Sequence, residues 1–180
     1  MDRMKKPLFA LGLTLCLAAA ACAPKPIAEK KPAPDYQMKA ASVPPPANLT
    51  TICYDEAAMS VYYTRMTQQQ LAVGTLSCQE AGGKRRFEKQ YSDLLAKYGS
   101  DLASNAADIK AIAAKRRLNM DVLVTEFANR EAQQRQNDPQ YCERFERAFN
   151  WALSPAATSL SQVPPVHNYA AEMNAFPCPK

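Results

Sequence analysis

One histidine and six cysteines are the side chains of this 180-residue chain that chemistry would call on first. Any Ser-His-Asp or Cys-His site has to use His167, the only imidazole. It follows Pro164-Pro165-Val166, a stretch with little to hold a ring in one orientation, and reads as a tail histidine, satisfied or exposed. Carboxylates for a glycosidase-like pair are present by number. Yet Glu126, Glu131, Glu143 and Glu146 lie at helical spacing from Arg130, Arg144 and Arg147, which reads as surface ion pairing. No glycine-rich phosphate loop occurs among the 5 glycines. Nor is there a Cys-x-x-Cys pair for redox work or a Cys-x-x-Cys-His for covalent haem. The chain reads as no enzyme, with no catalytic residues, cofactor or metal.

Cys22 has a different chemistry. Arg3, Lys5 and Lys6 form a positive n-region, and Pro7 to Ala21 is an apolar run too short for a membrane span and right for a signal peptide. The run ends Ala19-Ala20-Ala21-Cys22, which resembles the bacterial lipoprotein box, where the cysteine thiol takes a diacylglyceryl group. Ala19 stands where that box usually has Leu, so simple secretion is the alternative. Ala23, not Asp, follows the cysteine, which favours the outer membrane and a periplasm-facing domain. Two or three acyl chains hold a protein on a bilayer persistently, where one binds marginally. The leader takes three basic side chains and one acidic one with it, leaving 19 and 16, net +3. That excess does not argue for nucleic acid.

The elements that must position everything else are helical. Of the 14 prolines none falls between Ala47 and Asp138. Residues 22–50 read as a lipid-attached, Pro- and Lys-rich linker that buries no core. Residues 51–154 read as the folded domain, and 155–180 as an irregular tail with at best a short turn near Tyr169 to Asn174. Helix one is expected from Asp55, its cap, to Cys78, with Met59, Tyr62, Met66, Val73 and Leu76 inward. A second long helix carries Phe87, Tyr91, Leu94, Leu95 and Tyr98 and runs on to about Ala114, bent or frayed near Gly99. Helix three begins at an Asn119 cap and buries Leu123 and Phe127. Helix four opens with Asp138 as cap and Pro139 in its first turn, and carries Phe145 and Phe149. Lys115-Arg116-Arg117 suits a helix C-terminus, and Lys84-Arg85-Arg86 reads as a solvated face. The fold class is all-α: a small disulfide-stapled bundle of about four helices with Pro-rich arms.

Four cysteines remain beyond the leader: Cys53, Cys78, Cys142 and Cys178. An even number in an exported chain points to two disulfides. Cys53 and Cys78 flank helix one, roughly 37 Å apart, too far to bond. With a continuous second helix, Cys78 meets Cys142 and Cys53 meets Cys178, the favoured arrangement. With a full reversal at Gly99, Cys53 pairs with Cys142 instead.

Leu71 to Cys78 (LAVGTLSC), Tyr91 to Leu102 (YSDLLAKYGSDL), Asp121 to Asn129 (DVLVTEFAN) and Asp138 to Cys142 (DPQYC) together resemble small exported, lipoprotein-like envelope proteins of alphaproteobacteria. The resemblance spans about residues 53 to 154. It implies a compact helical envelope domain in which the second and third of the four cysteines pair, and it brings no activity. The expectation is a non-enzymatic envelope lipoprotein, held at the membrane through Cys22 and binding an envelope protein or the cell wall. The alternative is a module holding a small apolar molecule between helices near Tyr62, Tyr91 and Phe127. A filled core favours the first, an open apolar pocket the second.

Overall fold

The computed structural model describes residues 33–38 and 43–180, all within one compact unit, Pro32–Lys180. The leader, Cys22 and the remaining linker residues lie outside the described residues. The elements are α1 (Leu49–Ile52), α2 (Glu56–Ser77), α3 (Glu88–Lys97), α4 (Gly99–Arg116), α5 (Met120–Asn137) and α6 (Tyr141–Leu153), followed by two 3₁₀ turns, Leu160–Gln162 and Ala171–Met173. No strand forms among the described residues; two isolated bridges, Tyr54 to Pro177 and Gln79 to Arg85, are the only β pairing there.

The helix starts follow their caps. The Asp55 carboxylate accepts the Ala58 N–H at 2.8 Å, and the Asn119 side chain accepts from Asp121 and Val122. At the other end of α4, Arg117 turns left-handed (φ 55°) and the Leu118 N–H returns to the Ala113 carbonyl at 2.8 Å.

Two expected boundaries move. The long second helix is two helices, broken at Tyr98, whose backbone (φ −112°, ψ 21°) leaves the helical region. The cause is the ring: Tyr98 is buried, its hydroxyl 2.6 Å from the Ala152 carbonyl and 2.9 Å from that of Ala157. Those carbonyls close and follow α6, so α3 is drawn toward α6 while α4 packs on α2. The other shift is at Asp138, which does not cap α6. It closes α5, accepts the Gln140 N–H at 3.0 Å, and leaves α6 to begin at Tyr141.

α2 is the central helix and meets α3, α4, α5 and α6. Its first half joins one apolar cluster, with Met59, Tyr62 and Met66 against Ile109, Phe127 and Tyr169. Its second half joins another, where Leu71 and Cys78 meet Phe87, Leu94, Phe145 and Phe149. Leu76, expected inward, is 53% exposed, because α2 turns Thr67, Gln70 and Gly74 to its neighbours instead. At Gly74 a Cβ would overlap the Phe145 ring, so only glycine lets α6 come this close. Each fully buried aromatic side chain contributes about 1.5–3 kcal/mol.

The disulfides sit at opposite ends of α2. Cys53–Cys178 has its Cα atoms 4.8 Å apart and Cys78–Cys142 5.7 Å. This is the pairing of a chain that breaks at Tyr98 without reversing. The loops closed are 125 and 64 residues long. Loop entropy alone gives at most about 4–5 kcal/mol each.

Arg116 does more than complement a helix dipole. Its guanidinium donates to the carbonyls of Ile52 and Cys53 and lies 3.7 Å from the Tyr54 ring centroid, closing α1 against α4. In the other basic cluster, Arg86 pairs with Glu146 of α6.

Candidate functional site

The sequence from Ser159 to Asn168 contains Pro164 and Pro165 and forms no long helix. It is nevertheless interior: Leu160, Val163, Val166 and His167 are buried. An irregular buried segment must find partners for its carbonyls, and residues 163–167 do. The Val163 carbonyl accepts from Thr67 (3.1 Å), Pro164 from the Tyr36 hydroxyl (3.0 Å) and Pro165 from the Gln37 amide (3.2 Å). The Val166 carbonyl accepts the Met38 N–H (3.0 Å), and His167 the Gln70 amide (2.6 Å), while Gln70 Oε1 takes the Val166 N–H (2.8 Å). The tail is thus laced to α2 on one side and to linker residues 36–38 on the other.

The linker expectation changes accordingly. Tyr36 falls in the stretch expected to bury no core, yet it is 0% exposed and belongs to the cluster of Phe145 and Phe149. Its carbonyl accepts from Arg144 at 2.9 Å.

His167 is likewise held rather than loose. Its Nδ1 lies 2.9 Å from Glu131 Oε1 and 3.1 Å from Oε2, of which only the second is aligned as a hydrogen bond. The ring stacks between Tyr141 and Tyr169, with centroids 6.0 Å away on each side and planes 14° apart. The Tyr169 hydroxyl donates to Glu131 Oε2 at 2.8 Å. On its far side Nε2 is 3.6 Å from Asp138 Oδ2, beyond hydrogen-bond reach, and that oxygen is held by Arg144 at 2.8 Å. Glu131 is therefore no surface ion-pair residue: it is 0% exposed and His167 3%. Other ion pairs among the described residues are more exposed, such as Arg130 with Glu126 at 2.7 Å and with Glu172 at 2.8 Å.

Electrostatics follow from burial. Desolvation, then the Glu131 charge, pushes the Tyr169 and Tyr141 hydroxyls well above the ordinary tyrosine range. Burial also raises Tyr36 and Tyr62. For Asp138 burial works upward, but the Arg144 and Gln140 hydrogen bonds and the Arg144 charge outweigh it and hold the carboxyl below its usual range. Chemically, a histidine between two carboxylates has the parts of a general base. Here both ring edges face buried protein groups, so a substrate atom has no approach to either nitrogen. The arrangement fastens the tail to α5 and α6.

Two of the open grooves among the described residues exceed 600 Å³. One, of about 700 Å³, lies between the start of α2 (Tyr54, Met59, Tyr63) and Val163, Pro164 and Asn168. The other, of about 610 Å³, lies where the linker residues 33–35 cross Arg147, Trp151 and Pro155. Neither includes Tyr62, Tyr91 or Phe127. Tyr62 and Phe127 pack edge to face, centroids 5.1 Å apart, in one cluster, and Tyr91 packs against the other. Those three residues line no common cavity.

Sequence reasoning missed Glu131, Tyr36, Thr67 and Gln70. Glu131 carried a signal: it stands four residues after Phe127 and eight after Leu123, on the apolar line of α5. Among the described residues no helix is long and apolar enough to cross a membrane, and no cluster of His, Cys, Asp and Glu suits a metal ion. The two disulfides mark an oxidising, extracytoplasmic compartment. Comparison with family models, curated proteins and solved structures finds no match to the chain.

Proposed function

We propose that this chain is a non-enzymatic cell-envelope lipoprotein: a stapled helical domain, anchored by acylated Cys22, that binds another envelope component on its surface. One observation carries the reading. The one histidine and the carboxylates around it, the only assembly with acid–base potential near His167, are sealed inside and spent on packing. The working part is then the exterior. The apolar-ligand alternative loses support because Tyr62 and Phe127 fill the space between their helices. The leader and the lipobox-like Ala21-Cys22 supply the address, and the disulfides fit it. The outer membrane is favoured by Ala23.

The test is crosslinking in intact cells with a photoreactive residue at Tyr63, on the rim of the larger groove. A discrete crosslinked species that disappears with Cys22→Ser supports a membrane-placed binding domain. Uncrosslinked monomer, indifferent to Cys22, contradicts it. A turnover assay that responds to Glu131→Gln without loss of fold would contradict the non-enzymatic reading.

A further inference from the structure

We propose that the groove where the linker leaves the domain is a membrane-contact surface, which seats an anionic phospholipid bilayer against Trp151 and Arg147. The proposal rests on acylation of Cys22 and adds to it which face of the domain meets the membrane.

The groove is mostly apolar, built from Ala33 and Pro34 on the linker side and Trp151, Pro155 and Ala156 on the other, with Arg147 at its edge. The Trp151 indole N–H is taken by the Gln162 carbonyl at 3.2 Å, which fixes the ring while it lines the groove. Tryptophan, with an apolar body and a polar edge, concentrates at membrane–water interfaces. Arg147 lies 3.9 Å from Asp35, too far for a hydrogen bond, and is 37% exposed. Its guanidinium thus keeps donors for phosphate oxygens. The Lys97 ammonium caps the carbonyls of Ala152 and Ser154, adding positive charge at the C-terminal end of α6, where Trp151 and Ser154 line the groove. Asp35 is the single carboxylate lining the groove.

The length of chain beyond Ala33 selects the occupant. Eleven peptide steps separate Ala33 from Cys22. They span about 18 Å as flexible coil and about 34 Å as polyproline helix. An acylated Cys22 therefore holds this groove within that distance of the bilayer, and Lys30 and Lys31 in the same stretch favour an anionic surface.

Trp151 is the only tryptophan, so its emission reports on this groove alone. The experiment uses the chain from residue 22 with Cys22→Ser, which removes the anchor and leaves the groove. It is mixed with vesicles of phosphatidylglycerol and phosphatidylcholine whose acyl chains are brominated. The proposal predicts a blue shift and quenching with phosphatidylglycerol, little with phosphatidylcholine alone, and loss of both in high salt. Arg147→Gln, with its helical spectrum intact, should weaken binding about fivefold. Unquenched emission at millimolar anionic lipid overturns the proposal, as does quenching indifferent to Arg147. An emission shift on deleting residues 23–32, with no lipid response, would name the linker itself as occupant and also overturn it. Acylation is scored separately by mass, so its failure and that of the groove are distinguishable.

Discussion

Replacing Tyr36 by alanine tests whether the linker is part of the folded domain. The side chain is fully buried among Phe145, Phe149 and Val166, and its hydroxyl is the donor to the Pro164 carbonyl. Truncating a buried aromatic to alanine costs about 3–5 kcal/mol, and a lost hydrogen bond that strands a buried carbonyl about 1–3 kcal/mol. The two overlap, so Tyr36→Ala should cost about 4–6 kcal/mol, a large share of the roughly 5–15 kcal/mol typical of a domain. Tyr36→Phe keeps the ring and should cost only about 1–2 kcal/mol. Urea unfolding of the oxidised chain, followed by far-UV circular dichroism, gives both numbers. Hydrogen exchange adds a local readout: the Met38 amide, bonded to Val166, should lose protection in the alanine variant well before the α2 amides. A Tyr36→Ala loss below about 1 kcal/mol, with Met38 exchanging freely in the parent, would refute the docking of residues 36–38 onto the tail.

Gly74→Ala should cost about 1–3 kcal/mol or more, because the new methyl overlaps the Phe145 ring and α2 and α6 must separate; a urea midpoint unchanged from the parent would show that the contact is slack. Asp138, whose folded pKa is depressed, contributes stability that is present above its unfolded value near 3.9 and lost as pH falls through the folded value, so Asp138→Asn should flatten the acid limb of a stability profile. Tyr36, Tyr62, Tyr141 and Tyr169 have raised values, so they stabilise below about pH 10 and that stability drains away above it. At pH 11 each withheld ionisation costs about 1.4 kcal/mol, roughly 6 kcal/mol for the four, and tyrosinate absorbance should show them titrating only as the chain unfolds. Reduction of both disulfides should lower stability by several kcal/mol, at most about 4–5 for each, and an unshifted urea midpoint would contradict the staple.

The helices that carry their own start signals were legible in the sequence. Asp55 and Asn119 cap α2 and α5 through short local hydrogen bonds, and Leu123 and Phe127 sit on a regular apolar stripe. Helix length excluded Cys53–Cys78, and the favoured one of the two remaining pairings is the one that forms, although the second helix expected to carry it is broken at Tyr98. What escaped was whatever depends on contacts distant in sequence. Tyr98 ends α3 because of carbonyls more than fifty residues later, while Gly99, the visible breaker, opens α4. Residues 159–168 have no period to read, since their burial is set by Thr67, Gln70 and the linker. His167 takes little of its orientation from its own segment beyond Tyr169; the rest comes from Glu131 and Tyr141, distant in sequence. Thr67 and Gln70 are polar side chains that only carbonyl-bearing neighbours make interior.

The central claim, that an exported domain is held at a membrane through Cys22, is tested most directly by intact mass analysis of the protein extracted from its native membranes. The account predicts a chain beginning at Cys22 and heavier than residues 22–180 by a diacylglyceryl group, with or without an amide-linked acyl chain. It also predicts that both disulfides are present and that Cys22→Ser abolishes the added mass and membrane retention. A chain that keeps residues 1–21, or one cut there but carrying no lipid and recovered in the soluble fraction, would contradict it.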